Sequence, residues 1–299
     1  MRILFEKRTS KRVISTVLAV LCLTSGFYSG GSFKALIILC GSIFILGFLR
    51  LEVRGKHILR GIYVTALVIV PVATFFIGQI MQDISFFSVP FIRVILNIVI
   101  VLILQFVALL ISKSLRLSLT LGCVVPTLAT LANTYVFRFR GNALMFSDLL
   151  SIRTAANVAA EYDFTPTPPM LYAVILAAIL MLGVYCLPPL SVPRTKGNIG
   201  GQAGAILLCI AVLLLGSAQQ RAEHWNNDGA VYNGYLLNFI LQIKEVFVSK
   251  PEGYEGDSVE LLEMQYTGES TEYVLHPDII VIMDESFADF SVFGNNTII

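Results

Sequence analysis

Charged residues are scarce in this chain of 299 residues: Asp, Glu, Lys and Arg make up 14% of it, whereas 56% of the residues are hydrophobic. An ordinary soluble domain is about 25% charged and about 45–50% apolar. This composition excludes a plain soluble globular protein and a disordered chain. Cysteine is absent after residue 218, because all five cysteines lie inside earlier apolar runs. The C-terminal part therefore has no disulfide framework.

The charges that are present are divided unevenly along the chain. Residues 1–218 hold 18 Lys and Arg against 6 Asp and Glu, whereas residues 219–299 hold 3 against 14. The two parts carry net charges of +12 and −11, although the whole chain carries only +1. A basic, apolar part joined to an acidic, more polar part predicts that the chain serves two compartments.

Seven apolar runs are candidates for membrane-spanning helices, each of which needs about 17–25 mostly apolar residues. They are residues 13–28, 33–49, 61–81, 91–111, 117–137, 170–187 and 203–218. The first, second and last are short, so five spans, with the first two runs forming a hairpin that does not cross, are the alternative to seven. The first run lacks a clear signal-peptide cleavage site before the second begins, so we expect a retained helix.

Basic residues cluster at the N-terminus and in the loops after the second, fourth and sixth runs. The positive-inside rule therefore places the N-terminus in the cytoplasm and the acidic part outside, for seven spans or for five. Nucleic-acid binding is disfavoured, since topology already explains these cations. Charges are nearly absent from the middle of the runs, which argues against a transporter of charged solutes. We interpret Asn97, Gln105 and Asn133 as polar contacts between helices.

The loop between the fifth and sixth runs, RFRGNALMFSDLLSIRTAANVAAEYDFTPTPP, is long and patterned. Its apolar spacing predicts an amphipathic helix at the outer membrane surface near residues 146–162, capped by Ser147 and beginning near Asp148. Arg138, Arg140 and Arg153 lie close to where lipid phosphates are expected, and a guanidinium suits a pair of phosphate oxygens. Interfacial anchoring is the simpler explanation of these arginines, and a lipid-headgroup site is the other.

The acidic part contains helix candidates at residues 234–248 and 258–266, followed by the β-rich apolar run 279–283. A continuous apolar strand is typical of a parallel α/β sheet, whose ligands bind at the carboxyl ends of the strands. Asp284 and Glu285 come at that end, and carboxylate oxygens suit a hard divalent cation. The alternative is that Asp284, Glu285 and Ser286 only cap the next helix.

At this point a family resemblance becomes visible. IIVIMDESF, residues 279–287, resembles the first strand and metal corner of the lipoteichoic acid synthase and phosphoglycerol transferase family, within the alkaline phosphatase and sulfatase superfamily. RGNALMFSDLLSIRTAANVAAEY and NGYLLNFILQIKEVFVSKPEGY are similar to earlier segments of that family, in the same order. The resemblance implies a polytopic α-helical membrane domain (1–218), a juxtamembrane helical linker (219–275) and the first strand and metal corner (276–299) of an extracellular α/β sulfatase-like domain.

The same resemblance implies an activity. Such an enzyme moves phosphoglycerol from a phosphatidylglycerol-like lipid or a lipid-linked donor to a cell-envelope glycan or polymer, through a threonine that a bound manganese or magnesium ion makes nucleophilic. Glu285 corresponds to the first metal ligand, and Asp284 has a supporting role. The nucleophile and the other ligands are expected beyond residue 299, so we expect a truncated, inactive fragment and assign no catalytic residue. A sulfatase- or phosphatase-type hydrolase and a non-enzymatic membrane scaffold or sensor are the alternatives.

Overall fold

The computed structural model describes residues 2–28, 32–151, 162–224 and 227–246. Helices dominate these residues, and one two-stranded sheet accompanies them. The helices are α1 (Thr9–Tyr28), α2 (Phe33–Phe48), α3 (Lys56–Met81), α4 (Phe91–Ser112), α5 (Leu115–Arg140), a 3-10 helix (Phe146–Ser151), α6 (Pro168–Cys186), α7 (Lys196–Ser217), α8 (Asp228–Tyr232) and α9 (Tyr235–Val246). The strands are β1 (Arg2–Phe5) and β2 (Leu49–Glu52).

The seven predicted apolar runs coincide with helices α1 to α7. Six of the described helices, α1 and α3 to α7, are long and apolar enough to cross a membrane. Helix α7 was predicted to be short but has 22 residues. It is longer because its glycine-rich N-terminal turns are helical. The Thr195 hydroxyl caps them by accepting a hydrogen bond from the Asn198 amide at 3.2 Å. Helix α2 has only 16 residues, so the choice between seven and five spans depends on the α1–α2 hairpin.

The loops gather at two ends of the helices. At one end β1, which precedes α1, pairs antiparallel with β2, which follows α2. At the same end Ser114, before α5, pairs with Ser191, before α7. Residues 2–12, 49–60, 113–116 and 187–196, which we call the basic end, hold 13 Lys and Arg against 2 Glu. The remaining described loops, 82–90, 141–151, 162–167 and 218–224, lie at the opposite end. Successive helices therefore run in alternating directions.

Close approach of helices depends on small residues and a few polar contacts. A Cβ atom on Gly47 of α2 would collide with Ser15 of α1, and one on Gly122 of α5 would collide with Gln105 of α4. Such contacts are typical of membrane helices, which gain little from burying apolar area against lipid tails of equal polarity. One buried apolar cluster joins α3, α5 and α6, and a second joins α1, α2 and α6. Helix α6 thus lies at the centre of the helix assembly.

Candidate functional site

The predicted metal corner lies outside the part of the chain that the structure describes. Asp284, Glu285 and Arg153 all fall there, as do residues 247–299, which include the predicted strand and the rest of the linker. Within residues 2–28, 32–151, 162–224 and 227–246, no group of three or more His, Cys, Asp or Glu side chains could hold a metal ion. The assignment of Glu285 as a ligand for manganese or magnesium therefore stays a prediction.

Arg140 is the last residue of α5, and it holds the first half of the following loop. Its guanidinium forms a two-pronged ion pair with Asp148, at 2.9 Å from Nη1 and 2.5 Å from Nη2. Nη2 also donates to the Ala143 carbonyl at 2.7 Å, and Asp148 in turn accepts from the Met145 amide at 2.7 Å. The chain can turn back on itself here because Gly141 adopts φ +76°, a left-handed conformation that favours glycine.

Arg138 holds the returning half of the same loop. It donates to the Thr165 carbonyl at 2.6 Å and forms an ion pair with Asp163 at 3.1 Å. The pKa of the Asp163 carboxyl is lowered by hydrogen bonds from the Thr165 hydroxyl and amide and, to a smaller degree, by the positive charge of Arg138. These contacts fix residues 163–165 beside the end of α5.

Four aromatic rings surround this attachment. Phe139 stacks on Tyr162 with ring centres 4.5 Å apart and meets the edge of Phe164 at 5.1 Å. Tyr135 packs against Phe164 at 5.3 Å and donates its hydroxyl hydrogen bond to the Phe164 carbonyl at 2.9 Å. Clusters of Tyr and Phe with a polar group at one edge suit a membrane–water boundary.

Arg138 and Arg140, two of the three arginines of the predicted headgroup site, therefore bind protein groups. Each faces an Asp carboxylate and at least one backbone carbonyl, and each arginine side chain is about one-third exposed. Their contacts give them a positioning role for the loop. A lipid phosphate would have to compete with Asp148 or Asp163 for them, so the predicted headgroup site, which stays a prediction, must involve exchange of these ion pairs.

The predicted interfacial helix near residues 146–162 differs locally from the expectation. A 3-10 helix covers Phe146–Ser151, whereas we expected a helix that begins near Asp148 with Ser147 as its cap. The physical reason is that the Asp148 carboxylate accepts from the Met145 amide and binds Arg140, which moves the start of the turn toward the N-terminus. Residues 152–161 lie outside the described residues.

Side-chain amides attach the segment after α7 to the membrane helices. Asn97 of α4 is 1% exposed, and its Nδ2 donates to the Asn233 carbonyl at 2.7 Å. Its Oδ1 accepts from the Leu237 amide at 3.0 Å. The Leu237 amide lies in the first turn of α9, where backbone N–H groups have no hydrogen-bond acceptor within their own helix. Asn97 thus caps α9 from a neighbouring helix, where Gly234 at φ +76° allows close approach.

Further amides continue this attachment. Gln242 Oε1 of α9 accepts from the Phe146 amide at 2.9 Å, which joins α9 to the 3-10 helix. Asn133 of α5 accepts from the Leu144 amide at 2.8 Å and donates to Gln82 at 2.8 Å. Asn238 forms two hydrogen bonds of 2.9 Å with the backbone of Glu223. We use the name juxtamembrane assembly for two parts of the chain. One is the loop held by the arginines (residues 138–151 and 162–167), and the other is the segment after α7 (residues 219–224 and 227–246).

Tyr235 lies inside the juxtamembrane assembly. It is 6% exposed and packs against Phe239 with ring centres 5.9 Å apart. Burial raises the pKa of its hydroxyl strongly, and the negative charge of Asp148 raises it further. Tyr235 is therefore neutral at physiological pH and acts here as a packing residue.

Comparisons with the models of known protein families, with curated proteins and with solved structures found no match. The function of the chain must therefore be argued from its own residues.

The sequence contained a signal for the juxtamembrane assembly that our prediction did not use. Asn238 and Gln242 stand four residues apart on the predicted helix 234–248, so they share one face. An amide pair on a helix whose residues are otherwise apolar up to Ile243 indicates docking onto backbone groups. No comparable signal links Arg140 to Asp148, since the contact depends on the conformation of the intervening loop.

Proposed function

We propose that the chain is the membrane-anchored part of a metal-dependent phosphoglycerol transferase that resembles lipoteichoic acid synthases. It takes phosphoglycerol from a phosphatidylglycerol-like or lipid-linked donor and delivers it to a cell-envelope glycan or polymer. The observation that carries this proposal is the segment IIVIMDESF, which follows an apolar helical domain and an amide-rich linker in the chain. In this proposal Glu285 supplies one ligand of a manganese or magnesium ion and Asp284 supports it. Such an ion offsets charge on a transferring phosphoryl group.

The described structure supports the proposal through the juxtamembrane assembly. An enzyme that acts on a lipid headgroup must work close to the membrane surface. The chain emerges from α7 at Ser217. Asn97 then holds it against α4, and Gln242 joins it to the 3-10 helix of the loop after α5. An attachment of this kind restricts how far a following domain can move from its lipid substrate.

We further propose that the basic end faces the cytoplasm and the juxtamembrane assembly faces the outside. The basic end holds 13 Lys and Arg against 2 Glu, and positively charged loops are retained on the cytoplasmic side. This orientation places the acidic C-terminal part outside the cell, where envelope polymers are assembled.

The test uses the protein that contains this chain, assayed in membranes with phosphatidylglycerol labelled in its glycerol headgroup. Glu285→Gln keeps the size of the side chain and removes its charge, and Asp289→Asn is the matched control four residues away. We expect Glu285→Gln to lower label transfer by at least about 100-fold and to weaken manganese binding, because a neutral amide is a poorer ligand for a hard cation. Full transfer activity in Glu285→Gln would remove this residue from the mechanism.

A further inference from the structure

A cavity of 470 Å³ lies at the basic end, far along the helices from the juxtamembrane assembly. Its volume is in the range of small-molecule sites, which are about 300–1,000 Å³. Three helices and the small sheet contribute to its wall. The helices are α1, α5 and α6, and the sheet contributes Arg50 of β2.

The mouth of the cavity is cationic. Arg8 and Arg50 are exposed, whereas Lys11 and Arg116 lie deeper and are partly buried. Glu6 is the single acidic residue among the lining residues, so the lining has three more positive than negative side chains. Glu6 is 5% exposed and lies 3.7 Å from the Lys11 ammonium group. Burial raises the pKa of Glu6, but the Arg8 amide hydrogen bond and the charges of Lys11 and Arg50 outweigh it, so the pKa is lowered.

Arg116 lines this cavity, and one of its N–H donors has no hydrogen-bond partner among the described residues. Its Nη2 donates to the Leu187 carbonyl, and its guanidinium lies over the ring of Tyr185 at 5.1 Å. Its Nε is buried and has no hydrogen-bond partner among the described residues. A buried donor without a partner is costly, and an anionic oxygen is its natural acceptor.

The inner wall of the cavity is apolar and extends into the helix assembly. On α1 the lining runs from Lys11 to Leu18, and on α6 it runs from Tyr185 to Ala178. Each run covers eight residues, or seven helical steps, which is about 10 Å along a helix. Ile14 on this wall is 55% exposed, so the wall is accessible from the side that faces the bilayer. A soluble anion needs no such wall, whereas an acyl chain does.

We propose that this cavity binds an anionic phospholipid, whose phosphate is held by Arg116 and the two exposed arginines and whose acyl chain lies along Ile14 and Leu18. The cations match the headgroup charge and the apolar wall matches the chain. The site is independent of the proposed transferase activity, because it lies at the other end of the helices and uses none of the same residues.

The first test measures lipid binding to the purified full chain in detergent, by native mass spectrometry with added phosphatidylglycerol or phosphatidylcholine. The double variant Arg50→Gln/Arg116→Gln removes two lining cations. Its matched control, Arg54→Gln/Lys56→Gln, removes two exposed cations at the same end that do not line the cavity. We expect at least about a tenfold loss of phosphatidylglycerol affinity in the first double variant and little change in the control. If the Arg116 substitution prevents folding, Arg8→Gln/Arg50→Gln tests the same charges at exposed positions.

A second test separates a lipid from a soluble anion. Ile14→Trp fills the apolar wall without changing any charge, and Val13→Trp is its control, since Val13 is 53% exposed and does not line the cavity. We expect Ile14→Trp to lower phosphatidylglycerol affinity by about tenfold and Val13→Trp to leave it unchanged.

Several results would overturn the proposal. Equal binding of phosphatidylcholine, or an equal loss in the Arg54→Gln/Lys56→Gln control, would show only a general attraction to basic loops. Displacement of the lipid by inorganic phosphate at equal concentration, or full lipid binding by Ile14→Trp, would show that the cavity takes a soluble anion instead.

Discussion

The capping of α9 by Asn97 makes the most specific prediction about the described structure. Asn97→Ala removes the hydrogen bonds to the Asn233 carbonyl and the Leu237 amide, at 2.7 and 3.0 Å. A hydrogen bond between membrane helices stabilises a protein by about 0.6 kcal/mol, and one in a water-soluble protein by about 0.5–1.5 kcal/mol. Leaving a buried partner unpaired adds a further cost. Two bonds therefore stabilise the docked α9 by about 1–3 kcal/mol. Local opening of α9 should become about 5- to 150-fold more frequent.

Hydrogen exchange of the α9 amides measures this opening directly. Gln105→Ala is the matched control, because Gln105 lies on the same helix α4 and is 0% exposed, yet neither of its amide atoms has a hydrogen-bond partner among the described residues. We expect faster exchange at Leu237 and the following amides in Asn97→Ala, and unchanged exchange there in Gln105→Ala. Unchanged exchange in Asn97→Ala would refute the idea that this amide holds α9.

Three further predictions concern the loop that the arginines hold. Asp148→Asn should weaken the grip of Arg140 and raise proteolytic cleavage of residues 141–148 several-fold, while wild-type susceptibility would contradict this role. Gly141→Ala should lower thermal stability by about 1 kcal/mol because its φ is +76°, whereas Gly183→Ala inside α6, where a Cβ meets no atom, should be neutral or stabilising. The lowered pKa of Asp163 means that its stabilising contacts are complete above the ordinary Asp pKa and are lost as the pH falls through the lowered value. The protection of the amides of residues 162–165, expressed relative to their intrinsic exchange rate at each pH, should therefore fall with acid in the wild type, and Asp163→Asn should lack this loss.

The helices were predictable from the sequence because lipid imposes a simple length and polarity rule. All seven apolar runs became helices, although α7 begins at Lys196 and not at residue 203. The error arose because glycine and polar residues lower the hydropathy of that stretch without ending the helix. The β1–β2 pair was missed, since Arg2–Phe5 and Leu49–Glu52 are short, and the residues that pair are far apart in the sequence.

The candidate site was less predictable. Asn97 and Asn133 were expected to join neighbouring helices, and the structure shows that they mainly hold backbone groups of the segments outside them. Arg138 and Arg140 were selected for their suitability for phosphate, but a basic side chain near a membrane is equally suited to a carboxylate of its own chain. Sequence alone does not decide between these acceptors, because the positions of Asp148 and Asp163 depend on loop conformation. The cationic cavity needed residues from β2, α1, α5 and α6, which are remote in sequence.

The central claim is tested most directly by following the phosphoglycerol group itself. Membranes that contain the protein are supplied with phosphatidylglycerol labelled in the headgroup, with manganese and with an envelope glycan or polymer acceptor. We predict that the label appears covalently on the acceptor, that diacylglycerol forms in equal amount, and that a chelator abolishes both products. Release of the label as free glycerol phosphate in place of labelled acceptor would contradict the proposed transferase. So would the absence of both labelled acceptor and diacylglycerol in membranes that contain the folded protein.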